Sequence, residues 1–162
     1  MLRTSYIILR KTPFQESSLV VAGLSPDYGR LDFLIKGARS IGRRKFPVAE
    51  LFRELSIQFR EPRGHGLLTM RSCEPLESFD ALALRPGNYL AACEYAAFLL
   101  RHTKPMLECH EASLALRTGL RRLCSEPSPE PWLCLAKLAF LHESGFVPER
   151  LSGEDSEEGR RQ

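Results

Sequence analysis

Five short apolar runs crowd the first seventy-odd residues, and turn-forming residues separate each from the next. Ser5–Lys11 reads SYIILRK, β-branched and aromatic, and stops at Pro13. Ser18–Leu24 (SLVVAGL) is closed by the turn SPDYG, Ser25–Gly29. In Arg30–Lys36, Leu31, Phe33 and Ile35 alternate with Arg30, Asp32, Leu34 and Lys36, the period of a half-buried strand. Leu51–Arg60 alternates likewise, Arg53, Leu55, Ile57 and Phe59 opposing Glu54, Ser56, Gln58 and Arg60. EPRGHG (Glu61–Gly66) has hairpin chemistry, and Leu67–Cys73 returns as a fifth strand. So many short strands joined by turns predict a small antiparallel β-barrel over residues 1–76.

The period changes after Pro75. Asn88–His102 is rich in alanine and leucine and lies between Pro86–Gly87 and Pro105. Glu108–Cys124 puts Ala112, Leu116, Leu120 and Leu123 on one helical stripe, with Arg117, Arg121 and Arg122 off it. Trp132–Ser144 is apolar nearly all round, which predicts the central helix of a bundle. Gly145 suits its C-cap and Pro148 its stop. The class is therefore α+β: the barrel, then an α-helical bundle over 82–150. The polar run SGEDSEEGRRQ gives an expected disordered tail over 151–162.

The totals narrow the function. A chain of 162 residues with 43% apolar content can bury a core, and no apolar run is long enough to cross a bilayer. The N-terminus lacks a signal-peptide cleavage site. Five widely spaced cysteines, an odd number, predict reduced thiols in the cytoplasm rather than a disulfide framework. The net charge of +3 is uneven: residues 1–75 carry 13 Lys and Arg against 7 Asp and Glu, and residues 76–162 carry 10 against 13. A basic first half points to a polyanion. A membrane surface is disfavoured, because no basic amphipathic helix accompanies the charge.

Enzyme motifs are missing. HEASL (His110–Leu114) begins like a zinc-protease pattern but has Leu114 where the second histidine is required. There is no phosphate-binding GxxxxGK[ST] and no CxxC, so no catalytic residue, metal or cofactor is expected. The informative segment is KGARSIGRRK, Lys36–Lys45, with five cations, no acid and two glycines. Between the third and fourth strands of a barrel, Lys36, Arg39, Arg43, Arg44 and Lys45 can follow a sugar-phosphate backbone without choosing bases. Without a ligand the same block reads equally as a solvated linker. Arg30, Arg60 and Arg63 on the flanking strands add to the nucleic-acid assignment. Phe33 and Phe59 lie on apolar faces and read as core, whereas Phe46 and Tyr28 are the candidates for base stacking, each reading also as a packing anchor.

Several segments, in this order, resemble the bacterial recombination mediator RecO family: SYIILRKTPFQESS, SPDYGRLDFLIKGAR, GRRKFPVAELFRELSIQF, RGHGLLTMRSCEPLESF and LAFLHESGFVPERL (Leu138–Leu151). LIKGAR (Leu34–Arg39) is the most specific piece, since that family keeps a KGAR-like turn after its third strand. The resemblance implies an OB-fold N-terminal domain and a helical domain. It further implies binding of single- and double-stranded DNA, annealing of complementary strands, and work with RecR in loading RecA onto DNA coated by single-stranded DNA-binding protein (SSB). Lys36 and Arg39 match the family's DNA-contacting turn; Arg43, Arg44 and Lys45 extend it on charge alone. By their spacing on one face of the second helix, Arg117, Arg121 and Arg122 offer a site for an acidic peptide such as the C-terminal tail of SSB; the alternative reading of the three is a solvated helix face near its C-terminus. The expected location is the bacterial cytoplasm, at the nucleoid. Many relatives continue into a four-cysteine zinc module and further helices. Here Glu149–Leu151 runs into the polar tail without that module, so the chain reads either as a naturally shortened family member or as a truncated one. Two alternatives stay open: an interaction adaptor that does not touch DNA, and an RNA-binding OB-fold protein.

Overall fold

The four residues Tyr6–Leu9 are apolar in succession, and a strand with a period of two tolerates such a run only where both of its faces are covered. The computed structural model, which describes residues 1–127 and 131–146, has that arrangement. Strand β1 (Leu2–Phe14) points Tyr6 and Ile8 into the interior of a barrel and Ile7 and Leu9 under a layer of helices. Strand β2 (Ser18–Ser25) divides in the same way, Leu19 and Val21 inward, Ala22 and Leu24 toward the helices. With β3 (Gly29–Ile35), β4 (Arg53–Phe59) and β5 (Met70–Ser78) they form an antiparallel sheet in the order β3-β2-β1-β4-β5.

One strand serves both halves of the sheet. Residues 2–7 of β1 pair with β4 and residues 7–14 with β2, and the ladder slips between Ile8 and Arg10 at the junction. The slip leaves Leu9 without a place in the ladder and bends the strand, as a β-bulge does. Closure comes from the other edges. The Leu34 N–H donates to the Leu68 carbonyl and the Leu68 N–H to the Asp32 carbonyl, both at 2.9 Å, a parallel bridge that closes the barrel. This is an OB-fold barrel followed by helices, the α+β class expected from the sequence.

Inside the barrel, Phe33 meets Tyr6 and Phe59 edge-to-face at 5.3 and 5.5 Å. The Tyr6 hydroxyl donates to the Leu31 carbonyl at 2.8 Å, which satisfies the one polar atom of a buried ring. Gly23 is the residue this ring requires: a Cβ there would stand 2.2 Å from the Ile7 carbonyl oxygen and 2.6 Å from the Tyr6 ring.

After a 3-10 turn at Asp80–Leu84 come α1 (Pro86–His102), α2 (His110–Ser125) and α3 (Trp132–Glu143). The stripe Ala112, Leu116, Leu120 and Leu123 is buried, as its spacing predicts. Asn88 is buried too, and its amide donates to the carbonyls of Leu123 and Glu126 at 2.7 and 2.6 Å, capping the C-terminal end of α2. The connection from α1 to α2 is laced to the barrel: the Met106 N–H donates to the Tyr28 carbonyl and the Cys109 N–H to the Pro26 carbonyl. Gly29, at φ +64°, permits this approach, since a Cβ there would lie 2.3 Å from the Lys104 carbonyl oxygen.

Helix α3 departs from expectation. It is an outer helix, with Ala136 and Phe140 buried and Cys134, Leu135 and Leu138 exposed on its far side. The outward apolar face of β1 and β2 is already covered by α1 and α2, so α3 packs on those helices instead. A helix apolar all round carries no periodic signal of which side is covered. Gly145 does take the left-handed conformation of a C-cap, at φ +77°. Pro148 and the expected tail over 151–162 lie outside the described residues.

Helix and barrel are also joined by charge. Glu54, on the outer face of β4, is 5% exposed and receives the Arg117 guanidinium as a fork, Nε donating to Oε2 at 3.0 Å and Nη2 to Oε1. Removal of the arginine strands a buried carboxylate. Urea unfolding of Arg117→Ala is therefore expected to show a loss of about 3–5 kcal/mol, and the double replacement Glu54→Leu with Arg117→Met to recover most of it.

Gly119 of α2 lies against the indole of Trp132, 1.9 Å from Nε1 for an added Cβ. Gly119→Ala is expected to lift α3 from α2, costing about 1–3 kcal/mol. Trp132 is the sole tryptophan, so its emission should shift to the red in the same variant.

The Arg121 guanidinium, donating to both Glu77 oxygens at 2.8 and 2.7 Å, holds that carboxyl below its ordinary range. Arg53 does the same for Asp80. A lowered folded-state pKa adds stability that is complete above the ordinary carboxylate range and is lost as pH falls through the lowered value. Acid titration of unfolding should accordingly show a shallower acid limb in Glu77→Gln and Asp80→Asn than in the parent protein.

Candidate nucleic-acid interface

Lys36 follows β3 directly, and the chain then makes a lobe before it reaches β4. Gly37, at φ +74°, starts the turn. The Arg39 N–H donates to the Ser17 carbonyl at 2.9 Å, tying the lobe to the β1–β2 turn. The Lys45 N–H comes back to the Gly37 carbonyl at 3.4 Å and narrows the neck. Beyond it, the Phe52 N–H joins the Ile8 carbonyl at 2.9 Å. The lobe is thus anchored at its sides while its cations stand in solvent.

Lys36, Arg39, Arg43, Arg44 and Lys45 are all exposed, and among the described residues none forms an ion pair within 4 Å. Five like charges in one lobe sum to a positive field that reaches about 10 Å at moderate salt. The Lys45 ammonium lies 5.4 Å from the centre of the Phe46 ring, so cation and aromatic plane are neighbours. Phe46 is half-buried, whereas Tyr28 sits edge-on to Phe59 at 5.6 Å in the end of the barrel core. Phe33 and Phe59 are buried in that core, as read from their faces.

The remaining expected cations are elsewhere. Ile35, just before the lobe, pairs with Leu19, which pairs with Pro13 near the end of β1. Phe59, just before Arg60, pairs with Leu2 at the start of β1. Arg60 and Arg63 are therefore at the opposite end of the barrel, where they line a cleft with Met1. Arg30 is held in place: its guanidinium donates to both Asp32 oxygens at 3.0 and 2.8 Å and to the Leu100 carbonyl at 2.6 Å. On α2, Arg117 and Arg121 grip Glu54 and Glu77, and Arg122 lies 4.0 Å from Glu126 one turn on. Arg117 and Arg121 fasten α2 to the barrel, whereas Arg122 stays exposed along its own helix.

Lys11 belongs with the lobe and was not singled out by sequence. Its side chain lines a cleft with Arg39, Arg44 and Phe46, and it forms an ion pair with Glu50. The signal was its place near the end of a strand that hydrogen-bonds past Pro13 to Phe14, close to the turn to which Arg39 is tied.

The more buried thiols are poor nucleophiles. Burial pushes Cys73 and Cys109 up to about 11, far above the range of a reactive thiolate. Cys134 is exposed. His110 faces Glu108 and Asp27 at 3.6 and 4.0 Å in an exposed position. Among the described residues no three His, Cys, Asp or Glu side chains come together as a metal site, and no helix is long and apolar enough to cross a membrane.

Comparison with known proteins agrees with this geometry. The family profile described as "Recombination protein O N terminal" matches residues 1–79, the barrel and its exit. Similar proteins named DNA repair protein RecO come from Photobacterium profundum, 28% identical over 145 residues, and Anaeromyxobacter sp. (strain K), 29% over 143. A third, from Symbiobacterium thermophilum, is 30% identical over 147 residues. The matches take in 86–88% of this chain but 56–57% of the relatives, so the chain spans little more than half the length of the curated relatives it matches. By its OB-fold barrel and by these matches, residues 1–79 carry the N-terminal domain of the RecO family, and the chain as a whole is similar to proteins named DNA repair protein RecO.

Proposed function

We propose that this chain is a DNA-binding part of the recombinational repair machinery, which holds single- and double-stranded DNA and brings complementary strands together without hydrolysing a nucleotide. The observation that carries this is the lobe of five exposed cations with no acid, on a barrel of the OB type. Cations laid along a phosphate backbone release its condensed counterions and weaken repulsion between two backbones, and base pairing then supplies the free energy of annealing. Likeness to the RecO family supports the repair context. It also supports a mediator's role beside RecR, in loading RecA onto SSB-coated single strands in the bacterial cytoplasm. An SSB tail docking on α2 would have to compete with Glu77 for Arg121 and with Glu54 for Arg117, since each guanidinium already holds a carboxylate. The adaptor alternative gains nothing from that arrangement, whereas the lobe offers its cations free.

Binding to a fluorescent single-stranded oligonucleotide tests the proposal. If all five lobe cations contact phosphate, log K against log salt should fall with a slope of about −3.5, from about −0.7 per contact. Replacing Lys36, Arg39, Arg43, Arg44 and Lys45 by Gln should flatten the slope and weaken binding to every sequence. An unchanged slope in the folded variant would remove the lobe from the interface; a slope lowered instead by Arg60→Gln with Arg63→Gln would move the site to the far end of the barrel. Competition by RNA of the same sequence distinguishes a repair protein from an RNA-binding one.

A further inference from the structure

The charged side chains of α3 are turned to its neighbours. Lys137 donates to Glu94 of α1 at 2.8 Å, and the Glu143 carboxylate accepts from the Glu111 and Ala112 N–H groups at the start of α2, at 3.0 and 2.7 Å. The opposite side of the helix carries Pro131, Leu135, Leu138 and His142 in line, with Cys134 beside them, all exposed. Leu135 is 60% and Leu138 48% exposed, and among the described residues nothing packs over them. A solvated helix face ordinarily carries charge, whereas a contiguous uncharged one marks a contact surface.

The flank of α2 continues this face. Gly119 lies against Trp132, and the Glu111 carboxylate is 3.8 Å from the His142 imidazole, so the two helices run antiparallel with these residues level. By helical spacing Glu111, Ala115, Thr118 and Arg122 share the side of α2 that meets His142, and Leu114, 60% exposed, stands next to them. The middle of the joint face is therefore uncharged, with an acid, Glu111, at one end and a base, Arg122, at the other. The midpoint between Leu135 and Leu138 is level with Ala115 and Leu116, roughly midway between those two charges. Both are loosely held: Arg122 Nε is 4.0 Å from Glu126, and Glu111 touches only the exposed His142, contacts that contribute little in water.

A face that is apolar in the middle, acidic at one end and basic at the other is complementary to itself turned end over end. We propose that it pairs with a second copy of this chain about a twofold axis lying in the face and across the helices. The two α3 helices then pack antiparallel, Leu135 of each copy meets Leu138 of the other, and Glu111 of each meets Arg122 of the other. Within the chain, the sequence after residue 146 brings only Val147, Pro148 and Leu151 as apolar side chains, little with which to cover these leucines. With α3 about 18 Å long and helix axes about 10 Å apart, the face is small for a stable interface, so the dimer dissociates in the micromolar range. A dimer carries two basic lobes, one for each of two strands under the DNA-binding reading above; the pairing of copies does not rest on that reading.

Sedimentation velocity of the full chain from about 1 to about 100 µM tests the pairing. The parent is expected to pass from monomer to dimer over this range. Leu135→Glu with Leu138→Glu should stay monomeric throughout and keep its fold by circular dichroism, because both side chains are exposed. Glu111→Arg and Arg122→Glu should each weaken self-association roughly tenfold, since like charges then face one another. An equimolar mixture of these two variants should recover the dimer, because both contacts of the mixed pair again join an acid to a base. A local loss of stability gives no such recovery. A parent that is monomeric at the highest concentration overturns the proposal, whether Cys134 then reacts freely with a thiol reagent or is protected by a segment of its own chain. A dimer indifferent to the leucine substitutions overturns it as well, and so does a mixture that associates no better than its components. No readout involves DNA, so failure here leaves the DNA-binding proposal to its own test.

Discussion

Everything in this molecule is arranged around strands that have no solvent side. The outward face of β1 and β2 presents Ile7, Leu9, Ala22 and Leu24, and a barrel left to itself would expose them to water. At about 25 cal/mol per Å2 of apolar surface, covering that face favours the folded state by several kcal/mol. The cover is α1 with the buried side of α2. Small side chains at Ala92 and Ala96 let α1 lie close to the sheet, and Tyr95 and Leu99 fill the space beside them. The helices and the outer side of the barrel therefore share one core, while the barrel interior is a second.

That shared core determines where charge can be used. On the helix-facing side of the barrel, cations find carboxylates: Arg117 with Glu54, Arg121 with Glu77 and Arg30 with Asp32; Lys137 of α3 meets Glu94 of α1. The Glu54 pair sits where water is scarce, so its geometry must be good for it to be tolerated at all, and the guanidinium fork meets that condition. On the lobe after β3, by contrast, the cations form no ion pair among the described residues, and the Phe46 ring lies beside Lys45. Unpaired charge is held away from the joined layers, at the end of the barrel where a long flexible polyanion can reach it.

Two features of the helical part follow from the same packing. The α1–α2 connection is hydrogen-bonded to the β2–β3 turn, so the helices cannot swing freely on the barrel without breaking backbone bonds at Tyr28 and Pro26. Outermost lies α3, with Leu135 and Leu138 turned outward.

The barrel was legible in the sequence because β3 and β4 carry a period of two and turn residues bound the other short apolar runs. Alternation in Leu31, Phe33 and Ile35 and in Leu55, Ile57 and Phe59 gave the inward faces directly, since backbone geometry sends successive side chains to opposite sides whatever surrounds them. The stripe of α2 was legible for the same reason, and so was the cationic lobe, because five charges without an acid need no partner to be seen. Only the tertiary structure decided which face the arginines of α2 meet, that Arg30 is bound to Asp32 and the α1 carbonyl, that Arg60 and Arg63 lie at the far end of the barrel, and that Lys11 joins the lobe. It also decided the place of α3, whose uniform apolarity carries no direction. Local pattern fixes the orientation of a side chain within its own element. What that side chain faces depends on contacts between residues such as Glu54 and Arg117, 63 positions apart, and their meeting is set by the packing of whole layers.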